Sequence, residues 1–396
     1  MVFLPIRVAG IDPGTKTFDL VVLENDRVVH EESFKTPIIA KNPALLLNRL
    51  NSLNIDYIIA PSGYGVPVHN GGEVRNPRRF TVEVLLLSSE ELMEKGVLLS
   101  EPGIWVYDAL AKITTEIIRM YGERALFTPG VIHLPTVPLH RKINKVDMGT
   151  ADKLASTFLA VYEYYNNEGF DFNNINFTLL ELGYGYYSVI AVKEGKVVDG
   201  VGGTSASTGT LTAGSIDLEV VAGVGKWERW DVFHGGILDY SGIYDFNELL
   251  RRARMNEEPH TTLINHFIEC VAKDLEKTLL STPKSETVVA TGRLSKIKEL
   301  LELIKERLVD LEISTLKGLQ GANISKESAQ GYAAIGSGLA GVECFREVLL
   351  QMEINGSCGT SVDYIIHPRA LGFKERIRKA YVESVYSPKL CGYSPL

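Results

Sequence analysis

The chain has 396 residues, which is long enough for two domains with separate hydrophobic cores, since single cores stop growing at about 250–300 residues. Hydrophobic residues make up 45% of the sequence and charged residues 23%, as in a globular protein, and the formal net charge of −8 excludes a global positive field that would attract nucleic acid or anionic lipid. No apolar run approaches the ~18 residues of a membrane span, so none is predicted.

Two features of the sequence bear on the cellular compartment. The N-terminal segment reaches Arg7 before it forms the apolar stretch that a signal peptide needs. The cysteines are widely spaced, and no two of them form a CxxC pair. This spacing indicates neither a zinc site nor a disulfide framework, so we expect free thiols in a reducing, cytoplasmic environment. The four positions are Cys270, Cys344, Cys358 and Cys391.

An internal repeat organises the chain. Residues 6–30 and residues 175–199 align without a gap, and each copy reads as a buried strand, a glycine turn, a second strand, a two-residue turn and a third strand. Two such segments with matched spacing predict a duplicated domain. The matched positions are Asp12 with Glu181, Gly14 with Gly183, Asn25-Asp26 with Glu194-Gly195, and Val28-Val29 with Val197-Val198.

After the first copy, the pattern changes to alternating helices and strands. Hydrophobic spacing predicts helices over Pro43–Leu53 and Ala109–Tyr121, and short apolar runs predict strands over Tyr57–Ala60 and Ile104–Tyr107. Residues 61–79 are rich in Gly, Pro and Asn, which predicts a lid or a substrate loop.

The remaining chain repeats this alternation. A helix is predicted to open within Asp147–Lys153, and residues 166–174 form a loop into the second copy of the repeat. No element is assigned after Gln351. The later predicted elements are a helix over 263–279, a strand over Thr287–Ala290, a helix capped by Ser295 that runs to Leu308, a strand that begins at Ile313, and a helix over Ala329–Leu350. The expected domains are an N-terminal lobe over 1–146, a crossing helix and linker over 147–174, a C-terminal lobe over 175–350 and an extension over 351–396.

The first candidate for chemistry is the turn from Asp12 to Thr17, which reads DPGTKT between two strands. A glycine turn lets backbone N–H groups approach an anion, and hydroxyl groups add donors. A carboxylate at a strand end can hold Mg²⁺ through water, and the metal then bridges phosphate oxygens. A plain hairpin explains the same residues, because Asp-Pro-Gly is favoured turn chemistry.

The second candidate is the turn from Glu181 to Gly185, at the equivalent place in the second copy. A second carboxylate that faces the first across a cleft is what a nucleotide–metal site between duplicated lobes requires. A glycine bend between core strands is the alternative. The presence of the same device in both copies favours the functional interpretation.

The two turns resemble the phosphate motifs of the superfamily of acetate and sugar kinases, Hsp70 and actin, whose members have a DxGT-like turn in each lobe. Val288–Arg293 resembles the adenosine motif of that superfamily, and Ser328–Gly336 resembles the helix that follows it. The resemblance covers roughly residues 6–345 and implies a duplicated RNase H-like (actin-like ATPase) two-lobed α/β fold that binds Mg²⁺ and ATP. More narrowly, the whole chain resembles an archaeal family labelled as predicted butyrate kinases, although fold does not fix substrate.

The resemblance gives roles to the residues of both turns. It implies that Asp12 and Glu181 hold the metal and that Asp12 is catalytic. Glu181 departs from the usual Asp of the second motif, and Tyr184 stands where Thr or Ser is common. The residues implied to bind the nucleotide are Gly14, Thr15, Lys16, Gly183, Gly185 and Gly292.

Gly149–Lys153 resembles the Gly-x-Asp-Arg motif of type III pantothenate kinases, in which the aspartate accepts the proton of the acceptor. Asp152 would have that role for a hydroxyl acceptor, with Lys153 as a point charge in place of the planar Arg. The alternative is structural, since Thr150 can cap the helix and Asp152 can interact with its dipole. Both interpretations stay open.

Two further segments are candidates for binding. Residues 200–209 are dense in Gly and hydroxyl groups, and Gly202 and Gly203 would permit a phosphate or substrate to approach closely, although a flexible loop is the alternative. The sequence contains no GxxxxGK[ST], which excludes a P-loop. Arg141 is the better candidate to bind an anionic acceptor or the transferred phosphoryl group, whereas the basic cluster within 75–79 reads as a solvated charge run.

These residues together predict an ATP-dependent phosphotransferase with a small-molecule acceptor. The favoured acceptor is a short-chain carboxylate, which would give an acyl phosphate and need no base. A hydroxyl acceptor with Asp152 as its base is the alternative. A nucleotide-dependent regulator or scaffold of the actin or Hsp70 type is the alternative from another class. We expect no nucleic-acid or membrane partner, and a homodimer is left open.

Overall fold

The computed structural model describes residues 5–282, 285, 287–308 and 311–392. The first part of the chain begins with three consecutive strands and continues with helices between short strands. Its strands are β1 (Arg7–Pro13), β2 (Thr17–Glu24), β3 (Arg27–Lys35), β4 (Tyr57–Ile59), β5 (His69–Asn70) and β6 (Ala125–Phe127). Its helices are α1 (Thr36–Lys41), α2 (Ala44–Ser52), α3 (Pro77–Arg79), α4 (Glu90–Leu98), α5 (Pro102–Tyr121), α6 (Leu139–Lys142) and α7 (Ala151–Tyr162).

The second part again begins with three strands. Its strands are β7 (Phe177–Leu182), β8 (Tyr187–Lys193), β9 (Lys196–Gly202), β10 (Thr287–Thr291) and β11 (Glu312–Thr315). Its helices are α8 (Leu218–Val224), α9 (Ile237–Ser241), α10 (Phe246–Arg254), α11 (His260–Leu279), α12 (Lys298–Lys305), α13 (Glu327–Leu339), α14 (Glu343–Gln351) and α15 (Leu371–Ser384). No helix in the described part of the chain is long and apolar enough to cross a membrane.

The two sheets share the topology of five strands. Their strand orders are β3-β2-β1-β4-β6-β5 and β9-β8-β7-β10-β11, with three antiparallel strands followed by two parallel ones in each, and β5 adds an antiparallel edge strand to the first sheet. The outer hairpin of each sheet has an irregularity in register, at Val22/Leu23 and at Ala191/Val192, which are equivalent positions of the repeat. A duplicated hairpin with the same bulge confirms the α/β duplication that the sequence predicted.

The two sheets are joined by helices α7 and α13, which cross in the middle of the molecule. A Cβ atom on Gly331 of α13 would lie 2.0 Å from the Ala155 carbonyl oxygen of α7. A Cβ on Gly10 of β1 would lie 2.4 Å from the Ala329 carbonyl oxygen of α13. The small residues therefore let backbones approach closely, and one core cluster of buried side chains extends through both sheets and both helices.

Three sequence-based assignments of secondary structure are wrong. Ile104–Tyr107 lies in the first two turns of α5, where Ile104 packs in one buried cluster while Leu110 and Ile113 pack in another, and the strand belongs instead to Ala125–Phe127. Short apolar runs fit a strand and a buried helix equally well, so the periodicity of four residues could not decide.

The predicted helix over Ala329–Leu350 is two helices, α13 and α14. Gly341 has φ +99° after the end of α13, and its N–H donates to the Gly338 carbonyl. The Val342 N–H donates to the Ser337 carbonyl (2.9 Å), which completes a Schellman motif. A glycine in this conformation ends a helix, and the apolar periodicity on both sides had concealed it.

Ser295 does not cap a helix, because its hydroxyl donates to the Gly292 carbonyl (2.7 Å) one turn before α12 begins at Lys298. The chain after Gln351, to which no element was assigned, contains α15.

The expectation of free thiols is wrong for one pair of cysteines. Cys358 and Cys391 form a disulfide, whereas Cys270 and Cys344 are free. After α15 the chain returns towards Gly359, whose N–H donates to the Lys389 carbonyl (2.8 Å), and this contact brings the two cysteines together. Spacing along the sequence could not show a contact made by the returning tail.

Candidate active site

The two glycine turns of the repeat meet in one polar cleft. Each follows the first strand of its sheet, β1 or β7, and the cleft between them has a volume of about 80 Å³. The crossing helices α7 and α13 contribute their N-terminal ends to it. Most of the residues singled out in the sequence line this cleft. They are Asp12, Gly14, Thr15, Lys16, Asp152, Glu181, Gly183, Gly185 and Gly292.

Glycine keeps the cleft wall free of side chains at several positions. A Cβ on Gly14 would lie 2.0 Å from a lysine ammonium, and a Cβ on Gly183 would lie 2.5 Å from the Tyr186 carbonyl oxygen. Gly292, after β10, has φ +90°, and its Cβ would lie 2.6 Å from the Leu182 carbonyl oxygen. The cleft is therefore walled in part by bare backbone, which is the surface that phosphate groups and a nucleoside approach.

Each turn's carboxylate is paired with a lysine from the start of a crossing helix. The Lys153 ammonium, in the first turn of α7, lies 2.8 Å from Asp152 Oδ2 and 2.9 Å from Glu181 Oε2. The contact with Glu181 has the geometry of an ion pair and not of an aligned hydrogen bond.

Lys326, the residue before α13, donates to Asp12 Oδ2 and lies 3.4 Å from Asp19 Oδ2. Sequence reasoning missed Lys326 and Asp19, because a contact across 314 residues leaves no local signal.

Burial dominates the electrostatics of the cleft. It raises the pKa of Glu181 to about 7 although Lys153 opposes the change, and it raises the pKa of Asp12 although Lys326 opposes it. Burial acts in the same direction on Asp152, but Lys153 and the Thr150 hydroxyl, 2.5 Å from Oδ1, outweigh it and leave the pKa of Asp152 below its usual range.

The charges of the inner cleft do not cancel. At the base of the cleft four carboxylates, with Asp19 among them, face two ammonium groups, so this inner part has two negative charges in excess when all are ionised. The rest of the lining adds the cations Lys16 and Arg293 and the carboxylate Glu327, so the cleft as a whole is closer to neutral. In the described part of the chain, no three acidic, His or Cys side chains form a complete metal site. The oxygen donors of Asp12 and Glu181 and the excess charge fit a divalent cation that takes its other ligands from phosphate oxygens and water.

Contacts between the tips of the turns hold the cleft nearly closed. The Lys16 ammonium lies 3.9 Å from the centre of the Tyr184 ring, and Arg293 donates to Thr17 Oγ1 (2.9 Å). Pockets that bury nucleotide-sized ligands have volumes of ~300–1,000 Å³, well above the 80 Å³ of this cleft. A nucleotide would therefore need these contacts to separate.

The remaining predicted site residues lie elsewhere. Arg141 donates to the Val198 carbonyl (2.7 Å) at β9 and does not line the cleft. A Cβ on Gly202 would lie 3.0 Å from Asp147 Oδ1, so Gly202 lies against Asp147 and outside the cleft. Gly203, with φ +55°, lines a second cavity. Arg78 and Arg79, of the basic cluster, form ion pairs with Glu90 and Glu83 at partly exposed positions.

The second cavity adjoins the polar cleft and has a volume of about 600 Å³. Asp12, Gly14 and Asp152 line both spaces. The wall of the second cavity is mostly carbon, and of the predicted lid residues 61–79 it includes Gly63 and Tyr64. Its lining residues of the types Phe, Tyr and Trp are Tyr64, Trp105, Tyr107, Tyr186, Phe233, Tyr244 and Tyr332.

Asp147, which sequence reasoning mentioned only as the start of a helix, also lines this cavity. Its Oδ1 accepts a hydrogen bond from the Gly149 N–H (2.9 Å). Burial raises the pKa of Asp147 to about 6, with the Gly149 N–H as the main opposing influence. The structure thus places a second carboxylate, more basic than Asp152, at the edge of the cleft.

Comparison with solved structures identifies the fold. A propionate kinase from Francisella tularensis subsp. tularensis SCHU S4 is 13% identical, with a TM-score of 0.56 over 82% of this chain and 98% of that one. An acetate kinase from Entamoeba histolytica is 14% identical, with a TM-score of 0.52 over 76% of this chain and 86% of that one. At these identities the similarity shows the fold alone, and it confirms the predicted actin-like ATPase fold.

Comparison by sequence gives one family. No curated protein matches the chain. The model of a family described as "Protein of unknown function (DUF1464)" matches residues 10–367.

Proposed function

The chain belongs to the DUF1464 family, and we propose that it is a Mg-ATP-dependent phosphotransferase that transfers the γ-phosphoryl group to a small acceptor. One observation carries this proposal. Two glycine turns that are related by the internal repeat meet in one buried cleft. Each turn follows a strand that has a carboxylate near its end. The excess negative charge at the base of that cleft is what a divalent cation would neutralise.

The proposal assigns a role to each part of the cleft. Gly14, Thr15 and Lys16 would bind phosphate groups from the first turn, and Gly183 and Gly185 from the second. Gly292 would lie against the adenosine, where its lack of a side chain keeps the backbone open. Mg²⁺, when bound at Asp12 and Glu181, would supply positive charge to the phosphate oxygens.

The chain's own cations complete this arrangement. Catalysis of phosphoryl transfer consists mostly of positioning and of neutralising charge on the phosphoryl oxygens. Lys153 and Lys326 are held at the cleft by carboxylates, so their ammonium groups are already oriented before substrates bind. Arg141 has no part in this proposal, because its guanidinium is bound to the β9 backbone.

Two acceptors are compatible with this chemistry. A short-chain carboxylate is supported by the resemblance to butyrate kinases and by the fold shared with an acetate and a propionate kinase. A hydroxyl acceptor is favoured by a specific observation, namely that Asp147 and Asp152 face the cavity next to the cleft. A regulator or scaffold would hydrolyse ATP without any acceptor, so acceptor-stimulated turnover distinguishes an enzyme from it.

Titration calorimetry of ATP with and without Mg²⁺ tests the central proposal. We expect wild type to bind Mg-ATP, and Asp12→Asn to lose at least ~10-fold in affinity when Mg²⁺ is present, because it removes a metal ligand. Asp26→Asn is the matched control, since Asp26 is exposed in the next turn of the same hairpin. Absence of nucleotide binding in wild type, or binding that depends on neither Asp12 nor metal, would contradict the proposal.

A further inference from the structure

We propose that the acceptor is an uncharged alcohol with a bulky apolar body, bound in the cavity beside the first turn, and that Asp147 accepts its hydroxyl proton. This inference rests on the proposed phosphotransferase function and names the substrate class of the same site. It goes beyond the hydroxyl acceptor considered above, because it specifies the size and apolar character of that acceptor and assigns the proton to Asp147 and not to Asp152.

The size and lining of the cavity indicate a bulky apolar ligand. Its volume of about 600 Å³ is in the range of pockets that bury drug-sized molecules, and a C2–C6 acid would leave most of it empty. Aromatic and aliphatic side chains provide most of its wall, among them Trp105, Leu110 and Phe233. Burying apolar surface stabilises a complex by about 25 cal/mol per Å², so a ligand that fills this wall gains more than a short acid can.

The charge of the lining disfavours an anionic acceptor. Among the described residues that line the cavity, five are acidic, and the cations are Lys41 and His234. His234 already lies 3.4 Å from Asp239 and 3.8 Å from Glu101, and Lys41 is exposed near the Trp105 ring. The acidic residues are Asp12, Glu101, Asp147, Asp152 and Asp239. Because lysines neutralise Asp12 and Asp152, the like charge that a bound carboxylate would meet is mainly that of Asp147, which has no ion-pair partner in the described part of the chain.

Three cations lie beside the cavity without lining it. Two of them, Lys153 and Lys326, are already paired with Asp152 and Asp12. Arg229 donates to the hydroxyl oxygens of Tyr64 (2.8 Å) and Tyr107 (3.0 Å) from behind the cavity wall. Its guanidinium is thus separated from the cavity by the two rings that it holds in place.

Asp147 is better placed than Asp152 to take a proton. Both oxygens of Asp152 are engaged, by the Thr150 hydroxyl and by the Lys153 ammonium. Asp147 has one hydrogen bond, to Oδ1, and no group in the described part of the chain donates to its Oδ2, which lies against the bare backbone of Gly203. With a pKa of about 6, Asp147 is ionised at neutral pH and still basic enough to accept a proton.

The proposed transfer forms one bond to the γ-phosphorus and breaks another. The acceptor's hydroxyl oxygen forms a bond to the γ-phosphorus while the bond from that phosphorus to the bridging oxygen breaks. The electron pair of the broken bond leaves on ADP, and the hydroxyl proton moves to the Asp147 carboxylate. The products are a phosphate monoester and ADP, and the proton passes to solvent.

Matched alcohol and acid probes test the substrate class. We would measure binding by ligand-observed NMR, and ADP release with Mg-ATP, for 3-phenylpropan-1-ol, 3-phenylpropanoate, 1-hexanol, hexanoate and butyrate. We expect at least ~10-fold tighter binding of the phenyl alcohol than of its acid, and loss of that binding in Ala40→Trp, which fills the cavity from α1. Equal or tighter binding of the acids, alcohol binding unaffected by Ala40→Trp, or failure of both alcohols to bind would overturn the proposal.

Asp147→Asn tests the proton acceptor. We expect it to lower kcat with the alcohol by ~10²–10⁴-fold while the affinities for alcohol and Mg-ATP remain within about threefold of wild type. Asp147→Ser is the second variant if the first does not fold. Normal turnover of a folded variant, or a product that hydroxylamine traps as a hydroxamate, would overturn this role. If wild type binds Mg-ATP but phosphorylates only acids, this inference fails while the phosphotransferase proposal stands.

Discussion

The two glycine turns share a backbone design but differ in what they face. Both leave the first strand of a sheet, and both place a carboxylate against a lysine at the start of a crossing helix. Asp12 borders both the polar cleft and the large apolar cavity, whereas Glu181 borders the cleft alone, although Gly185 of its turn reaches the cavity. The two copies thus share the backbone of the turn, and their surroundings differentiate the two carboxylates.

Each of the two lysines forms an ion pair with a carboxylate from the other half of the chain. Lys153, which ends the first half, is paired with Glu181 of the second sheet, and Lys326 of the second half is paired with Asp12 of the first. Each carboxylate therefore depends on the other half for its counter-charge. The cleft therefore forms only when both halves of the chain are packed together.

Removing either lysine should have the largest effect on stability. Loss of one partner of a buried ion pair costs about 3–5 kcal/mol, because the remaining charge is left buried. We expect both Lys326→Met and Lys153→Met to reach this range, because Lys153→Met leaves Asp152 without its ammonium partner even though Glu181, with a pKa of about 7, can take up a proton. Urea denaturation measures both values.

Lys317→Met is the control for the lysine variants. Lys317 forms an exposed ion pair with Glu168, and such pairs contribute about 0–1 kcal/mol. A cost for Lys326→Met no greater than that of the control would show that the buried pairs are not what holds the carboxylates.

The free energy of unfolding should change with pH because of the raised pKa of Glu181. Because burial raises its pKa to about 7, the folded protein holds this proton more tightly than the unfolded chain does. Its contribution to stability is complete below the unfolded pKa of ~4.3 and is lost as the pH rises through about 7.

We therefore expect wild type to lose up to about 3 kcal/mol relative to Glu181→Gln between pH ~4.3 and 8. Unfolding free energies of the two proteins, measured in parallel across this range, provide the check. A difference that stays constant with pH would mean that Glu181 is ionised throughout.

The two equivalent glycines should respond differently to alanine, with the smallest expected effects. The added Cβ at position 14 meets the end of a movable lysine side chain, whereas at position 183 it meets a backbone carbonyl 2.5 Å away. We expect Gly183→Ala to cost about 1–3 kcal/mol by overpacking, and Gly14→Ala to cost less than about 1 kcal/mol.

Gly14→Ala should instead weaken Mg-ATP binding, because its Cβ occupies the approach to the backbone. Melting temperatures and calorimetry on both variants measure the two effects. The reverse order of stabilities would mean that the two turns are not equivalent in their packing.

Features that depend on neighbouring residues along the chain could be predicted from the sequence alone. The alignment of residues 6–30 with 175–199 predicted the duplicated three-stranded segments, and the turn chemistry located Asp12, Gly14 and Glu181. These features follow from side-chain alternation and turn preferences, which act over a few residues.

The residues that lie opposite those turns could be identified only from the packing of the folded chain. The pairing of Lys326 with Asp12 spans 314 residues, the disulfide between Cys358 and Cys391 spans 33, and Asp147 meets its cavity through a fold that brings distant segments together. Such contacts depend on how sheets and helices pack and leave no periodic signal in the sequence. Even Ile104–Tyr107 is helical, because α5 packs against two separate buried clusters, and four apolar residues cannot indicate such packing locally.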